Sequence, residues 1–453
     1  MRDRLQPTKK PCSGERSLVG SAYERTRMSG LLADMSKPSI TAGFRTWILS
    51  VIFVLVGLVQ IIPAVGRAAR DTSGDLGRQW VVTQYVIRGV DPYPVALAAL
   101  RARHGALAPQ GPVHMRDARV YAIPKSGPHP QTNPMFGPPE ATYSPASVMT
   151  LVPLGFLPRD SVRFLWLLIN VTLLCLVARE LKVLAEAAEV SFFFFLGLVA
   201  IWPASASCIE REQFSLLCLW CILSARRLET THPITAGLLY SLSLVKPSLS
   251  IPFLFLPLLD RRVRTMASLA TSQLVLLGAM SWLVRVDPFH LNGEWLSVAG
   301  YFRQGMYSIQ DIINKLRLDG SAWDILLQLC ILIGGGIVAS RFSASKKIAF
   351  LAVISCTWTY HALYDFAVLL VPAALLIVSP LNRRLLFNVA ALVIFGFGLT
   401  TTVYAGTSSL ARGMREAARL SLVAVVVGVA WSECQARRPD AVLAARISPG
   451  LTS

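Results

Sequence analysis

Apolar residues gather along this chain in long runs separated by short polar or basic breaks. The runs 44–65, 266–284 and 385–404 each approach the ~20 residues that cross a bilayer as a helix. Backbone groups inside a bilayer find no water to bond, so such runs are helical. Read through to the end, the pattern predicts helices over 44–65, 143–157, 164–178, 191–207, 213–225, 234–259, 266–284, 323–340, 348–360, 364–380, 385–404 and 416–432. The fold class this implies is all-α: a polytopic transmembrane bundle of about 12 helices, with a range of about 10–13. The run 234–259 is interrupted by Pro247, Pro252 and Pro257.

Composition agrees. Of 453 residues, 53% are hydrophobic and 15% charged, well under the roughly 25% charged residues of soluble domains. The net charge of +18 follows the positive-inside rule rather than a nucleic-acid footprint, because the basic residues cluster between apolar runs. The first 43 residues carry eight Lys and Arg against Asp3, Glu15, Glu24 and Asp34. The organisation expected is a basic cytoplasmic tail (1–43), a membrane domain (44–432) with outer loops at 66–142 and 285–322, and a cytoplasmic tail (433–453). The expected location is the cell membrane, multi-pass. Alternating from the tail puts Arg159 and Arg163 at an inner turn. It also leaves Arg226 and Arg227 outside, against the rule. Cys218 and Cys221 have CxxC spacing but lie on an apolar helix with no second pair, so they read as packing. The sequon Asn170-Val171-Thr172 lies inside an apolar run and is discarded. Gly334, Gly335 and Gly336 read as close helix packing.

Candidate chemistry collects in the outer loops and at polar breaks. Between Asp75 and Arg88, Leu76, Trp80, Val81 and Tyr85 recur near helical spacing, as in a short helix lying in the membrane interface. Asp75 would open that helix, where an acid suits the dipole; capping and catalysis are both open at this point. Lys246 precedes Pro247 within an apolar run, where a charge is costly and marks a candidate functional site. His361, Tyr364 and Asp365 fall between two late helices on the same predicted side as Asp75. No cluster has metal-ligand spacing, and no glycine-rich loop of the phosphate-cradling kind precedes a helix. The expectation is no cofactor, no metal and no nucleic acid.

Taken in order, Asp75-Leu76, Gly89-Val90-Asp91-Pro92-Tyr93, Tyr143-Ser144-Pro145, Pro153-Leu154, Leu157-Pro158, Gln213, Lys246-Pro247, His361 and Tyr364-Asp365 resemble glycosyltransferase family 87. The resemblance runs over about 75–375, roughly two thirds of the chain. The family often has Asn-Gly-Gln where this chain has Arg211-Glu212-Gln213. The resemblance implies a GT-C fold and transfer of a sugar, often mannose, from a polyprenyl-phosphate donor at the outer face of the membrane. The implied partners are that lipid-linked donor, a lipid or glycan acceptor, and membrane lipids. Carried over, the loop acid falls on Asp75 and the late histidine on His361, the two expected catalytic residues. Expected substrate-binding residues are Lys246, Arg88, Asp91, Tyr93, Gln213, Arg303 and Asp365. A carboxylate at the interface suits a base that takes the acceptor proton, and nearby cations suit a phosphate leaving group. Two other readings stay open: a transporter or lipid flippase, and a non-catalytic member of the family.

Overall fold

The computed structural model describes residues 40–70, 74–107, 140–188, 190–302, 321–359 and 363–378. The described residues form helices and turns, without a strand. The predicted helices at 385–404 and 416–432 lie outside them, as does the 433–453 tail. The chain divides into two compact units, Met1–Leu49 and Ser50–Ser453. Of the first, only the opening turns of α1 are described; the candidate site belongs to the second.

In chain order the helices are α1 (Ile40–Arg70), α2 (Asp75–Ile87), α3 (Pro92–Leu107), α4 (Pro145–Leu151, continued by a 3-10 turn Val152–Phe156), α5 (Arg159–Leu184), α6 (Phe192–Ile201), α7 (Pro203–Glu210) and α8 (Ser215–Leu228). There follow α9 (Pro233–Ser243), α10 (Pro247–Ser250, continued by a 3-10 turn Ile251–Leu254), α11 (Phe255–Leu259), α12 (Val263–Val284) and α13 (Pro288–Phe302). The last are α14 (Ser321–Ala339), α15 (Ala344–Ser355) and α16 (Leu370–Val378), the last preceded by a 3-10 turn Leu363–Leu369. Three stretches join length to hydropathy enough to cross a bilayer: the one beginning at Trp47 in α1, α5 and α12. The pair α6 and α7 makes a fourth if taken as one span bent by 66°. The bend has a local cause. Trp202 is extended (φ −71, ψ 117) because Pro203 follows it, and a residue before proline is pushed out of the helical region.

These helices turn apolar faces outward. Val59 is 73% exposed, Leu274 68% and Trp282 80%. Such surfaces fit lipid and not water. Helices approach closely where a side chain is missing: Gly57 of α1 abuts Ala200, and Gly197 of α6 abuts Phe53. Gly335 and Gly336 likewise let α14 close on Ile354 and Phe255.

Contacts sort the helix ends into two groups. At one, Arg67 pairs with Glu210 at 3.0 Å, Arg163 pairs with Glu212 at 3.0 Å and donates to the Ala68 carbonyl at 2.7 Å, and the Asp75 amide donates to the Arg211 carbonyl at 3.0 Å. At the other, Arg227 grips Glu180 at 2.8 Å and 3.0 Å, Arg226 meets both Glu229 and Asp260, and Lys347 meets Asp260 at 2.5 Å.

Two expectations change as a result. The 143–157 segment does not cross. Its two ends meet neighbouring residues of α2: the Gln79 amide donates to the Glu140 carbonyl at 3.2 Å, and Trp80 Nε1 to the Leu157 carbonyl at 3.1 Å. Arg159 and Arg163 therefore lie at the Asp75 end, not at an opposite turn. The 234–259 run is not one span but a hairpin. Both its feet reach Arg226, through Glu229 and through Asp260, while its tip at Lys246 reaches the Gln213 turn. The reversal is written in Lys246-Pro247: proline removes an amide and pushes Lys246 out of the helical region, to φ −126 and ψ 83. One crossing is lost and one gained, so the alternation of the later helices is unchanged. Arg226 and Arg227 now share an end with Asp260 and Lys347, while Arg159 and Arg163 join the Asp75 end.

Candidate functional site

The hairpin tip is held from several sides. Ser250 Oγ donates to the Ser243 carbonyl at 2.6 Å, Cys218 Sγ to the same carbonyl at 3.2 Å, Ser147 Oγ to the Leu244 carbonyl at 2.8 Å, and Trp358 Nε1 to the Ser248 carbonyl at 2.7 Å. Carbonyls freed at the break between α9 and α10 are thereby satisfied. Cys218 and Cys221 are both free and buried here, in keeping with packing.

At this tip Lys246 is 7% exposed. Its ammonium lies 2.5 Å from Asp365 Oδ1, 3.1 Å from Gln213 Oε1, 3.3 Å from Ser215 Oγ, and 4.2 Å from the centre of the Tyr364 ring. Ser215 Oγ donates to Asp365 at 2.8 Å. Charges removed from water must be paired and hydrogen-bonded, and here both are. Lys246, Gln213 and Asp365, three of the expected substrate-binding residues, thus come together from α10, the α7–α8 turn and the turn before α16.

Asp75 approaches the same centre from α2. It holds the first helical position; the cap position belongs to Gly74, which makes no side-chain cap. Its carboxylate is within electrostatic reach of Lys246, Tyr143 and Tyr364. Three residues on, Arg78 lies 3.9 Å from Asp75 and 2.9 Å from Glu140. Burial works against its charge, but Glu140 and Asp75 outweigh burial and hold the guanidinium more firmly protonated than usual. Around the centre, the buried polar atoms Tyr143 Oη, Gln213 Nε2 and Gln79 Oε1 have no hydrogen-bond partner among the described residues. Leaving such a group unpaired costs about 1–3 kcal/mol. Their convergence beside Asp75 marks a place shaped for something polar.

The remaining expected residues fall elsewhere. Arg88 sits at the far end of α2, about 20 Å along the axis from Asp75, and donates to the Gln84 carbonyl at 2.8 Å. Asp91 accepts from the Tyr93 amide at 3.0 Å, opening α3. Its carboxyl is pushed up to about 6 by burial and by the adjoining Glu294, against the Tyr93 amide and His290, which pull it down. Tyr93 is wholly buried, and its hydroxyl donates to the Tyr143 carbonyl at 2.8 Å. It thus supports the residue whose own hydroxyl is unpaired near Asp75. Arg303 and His361 lie outside the described residues.

Residues 141–371 match the family model of glycosyltransferase family 87. The chain belongs to glycosyltransferase family 87. It is a membrane glycosyltransferase, with a sugar donor and an acceptor as substrates. No curated protein and no solved structure matches it. In this member, the turn after α7 carries Glu212 with φ 52, a left-handed conformation that favours glycine. Its carboxylate packs where a Cβ on Gly74 would stand, which ties that turn to the start of α2. Among the described residues no group of three His, Cys, Asp or Glu side chains could hold a metal ion.

The arrangement joins a partly exposed carboxylate, a partly exposed guanidinium and a buried ammonium–carboxylate pair. Arg78, Glu140, Tyr143 and Ser215 were not among the expected binding residues. Arg78 was findable from its i+3 spacing to Asp75. Glu140 joins the site through its pair with Arg78, Ser215 through Asp365 and Lys246, and Tyr143 through the return of its segment to α2.

Proposed function

We propose that this glycosyltransferase moves a hexose, mannose among the candidates, from a polyprenyl-phosphate donor to an acceptor hydroxyl at the outer face of the membrane. The observation that carries the reading is Asp75 at the head of α2, next to Arg78 and within electrostatic reach of the Lys246–Asp365 pair. Asp75 is the general base and takes the acceptor proton. The acceptor oxygen bonds to the anomeric carbon, the bond from that carbon to the phosphate oxygen breaks, and the polyprenyl phosphate leaves with the electron pair. Arg78 faces the developing negative charge. Lys246 pairs with Asp365, and with Gln213 it fixes the floor on which the head group rests. His361, Arg303 and Arg88 are assigned to the donor's approach; Asp91 and Tyr93 are assigned to holding the Tyr143 wall.

The assignment to the outer face is supported by charge. Arg226, Arg227, Arg261, Arg262, Arg341 and Lys347 belong to the end away from Asp75, which by the positive-inside rule is cytoplasmic. The first 43 residues, with eight Lys and Arg against four acids, are assigned to that same side on charge alone. A donor whose prenyl chain lies in the bilayer presents its phosphate at the depth of an interfacial helix such as α2. Against a transporter stands the placement of the unpaired polar atoms beside the carboxylate that opens α2 rather than along a path between helices. The test is turnover of purified protein with a panel of polyprenyl-phosphate hexoses and a hydroxyl acceptor. Release of polyprenyl phosphate coupled to glycoside formation is expected for at least one donor; failure across the panel, with donor-driven uptake into vesicles instead, would replace the reading by transport.

A further inference from the structure

A second polar site lies beside the transfer centre, against the first turns of α5. A cavity of about 230 Å³ is lined by Ala68, Arg163, Phe164, Trp166, Asn170 and Glu212, among others. At ~30 Å³ per water, it has room for roughly seven or eight waters, or one small polyol ring. Three of its lining side chains carry buried polar atoms with no hydrogen-bond partner among the described residues: Trp166 Nε1, Asn170 Oδ1 and Glu212 Oε2. These residues are 4%, 1% and 5% exposed. Trp166 and Asn170 are one helical turn apart, and the hydrogen bond between them runs along the helix, from the Asn170 amide to the Trp166 carbonyl at 3.3 Å. Neither therefore serves to fasten α5 to a neighbour through these polar atoms.

The chemistry on offer selects a class of ligand. Arg163 and Glu212 are paired at 3.0 Å, so the pair as a whole is neutral and favours a neutral guest over a phosphate. Two unpaired acceptors, Asn170 Oδ1 and Glu212 Oε2, call for hydroxyl donors; one unpaired donor, Trp166 Nε1, calls for a hydroxyl or ring oxygen. The indole also gives a flat apolar face, held at 4.6 Å from the Phe214 ring. Hydroxyls that both donate and accept, on a compact ring with apolar faces, describe a sugar or cyclitol. Asp160 stands at the rim, 97% exposed by its side chain, and Phe164 is 65% exposed.

We propose that this cavity is a binding site for a neutral polyhydroxylated ring, the acceptor-side head group, held by Trp166, Asn170 and Glu212. It rests on the transfer reading only in calling the ring an acceptor; binding itself is measured without donor, so a failure at Asp75 leaves it standing. The Glu212 carboxylate packs on Gly74, one residue from Asp75, which sets this ring beside the candidate base.

The experiment measures thermal unfolding of the full chain in phosphatidylcholine nanodiscs, titrated with octyl glucosides and octyl mannosides, with the matching methyl glycosides, and with myo-inositol. A rise in melting temperature of about 1–3 °C at saturating probe is expected for at least one of them. A shift from octyl probes alone assigns a lipid-borne head group; a shift from methyl glycosides or inositol as well assigns a soluble ring. The discriminating variant is Asn170→Leu. Because Asn170 Oδ1 is buried and unpaired, the apolar isostere should leave the empty protein as stable as wild type or more so, and weaken the probe at least about tenfold. Trp166→Phe keeps the ring and removes the donor, and should weaken it likewise. If both variants keep the wild-type shift, or if no probe shifts the wild type, the proposal is overturned; Trp166→Phe decides alone should Asn170→Leu fail to fold.

Discussion

The two ends of this bundle are both crowded with charge, yet they differ in what is left over. At the Arg226 end, the charges answer one another: Glu180 takes two bonds from Arg227, and Asp260 lies between Arg226 and Lys347; among the described residues, Ser224 Oγ, Arg262 Nε and Thr265 Oγ1 are left there without a partner. At the Asp75 end, ion pairs are interleaved with buried atoms that lack partners among the described residues: Tyr143 Oη, Gln79 Oε1, Gln213 Nε2, Trp166 Nε1, Asn170 Oδ1 and Glu212 Oε2. Buried charge alone thus does not point to function in this protein. Polar atoms left unsatisfied around one carboxylate and along one cavity do, because a fold that only needed stability would pair or remove them.

The sharpest way to break the comparison is to ask which residues share an end, since the answer is all or none. In a background without the exposed Cys175 and Cys330, cysteines at Asp160 and Phe289 should react with an impermeant thiol reagent from the same side. A cysteine at Ser340 should react only from the other. Reaction of Asp160→Cys together with Ser340→Cys would restore 143–157 as a crossing and undo the hairpin.

Next in size is the cost of stripping a partner. Lys246→Met takes from buried Asp365 the ammonium it is paired with at 2.5 Å, and should lower stability by about 3–5 kcal/mol, read by thermal unfolding in nanodiscs. The paired replacements then separate the ends. Arg227→Met with Glu180→Leu should restore stability and keep turnover, whereas Lys246→Met with Asp365→Leu should restore stability and abolish turnover. Equal turnover in the two double variants would erase the functional difference between the ends.

These partners also show what was legible in the sequence. Lys246 stands out because it interrupts an apolar run, and Asp75 because it opens the amphipathic 75–87 helix that the spacing makes visible. Asp365 as the partner of Lys246, and Arg226 as the partner of Asp260, were not visible, because nothing local joins residues so far apart. Hydropathy reads 234–259 as one span, since two short apolar helices in sequence have the same profile as one long helix; only the path of the backbone at Lys246-Pro247 distinguishes them. For the same reason 143–157, short but apolar, passed for a crossing. Asn170 was legible only as part of a sequon, and its helical setting made that reading moot. Its role beside Trp166 needed the cavity.

The smallest effect concerns Asp91, at the edge of the Asp75 end. Its carboxyl is raised from 3.8 to about 6 by burial and Glu294, so the folded chain holds a proton that the unfolded chain releases. Stability should then fall as pH rises from about 4 through 6, and level off above. Glu294, His290 and the Tyr93 amide are the groups that face it. Asp91→Asn should flatten that part of the melting-temperature profile; an unchanged slope would remove Asp91 from the account of that face.

The account stands most directly on Asp75. Asp75→Asn keeps the size of the side chain and the start of α2 while removing the base. Turnover of this variant should be measured with a polyprenyl-phosphate hexose that the wild type accepts, beside donor binding and melting temperature. A fall on the order of 10²-fold or more in turnover, with binding and melting nearly unchanged, is the predicted result; turnover near the wild-type rate would contradict it.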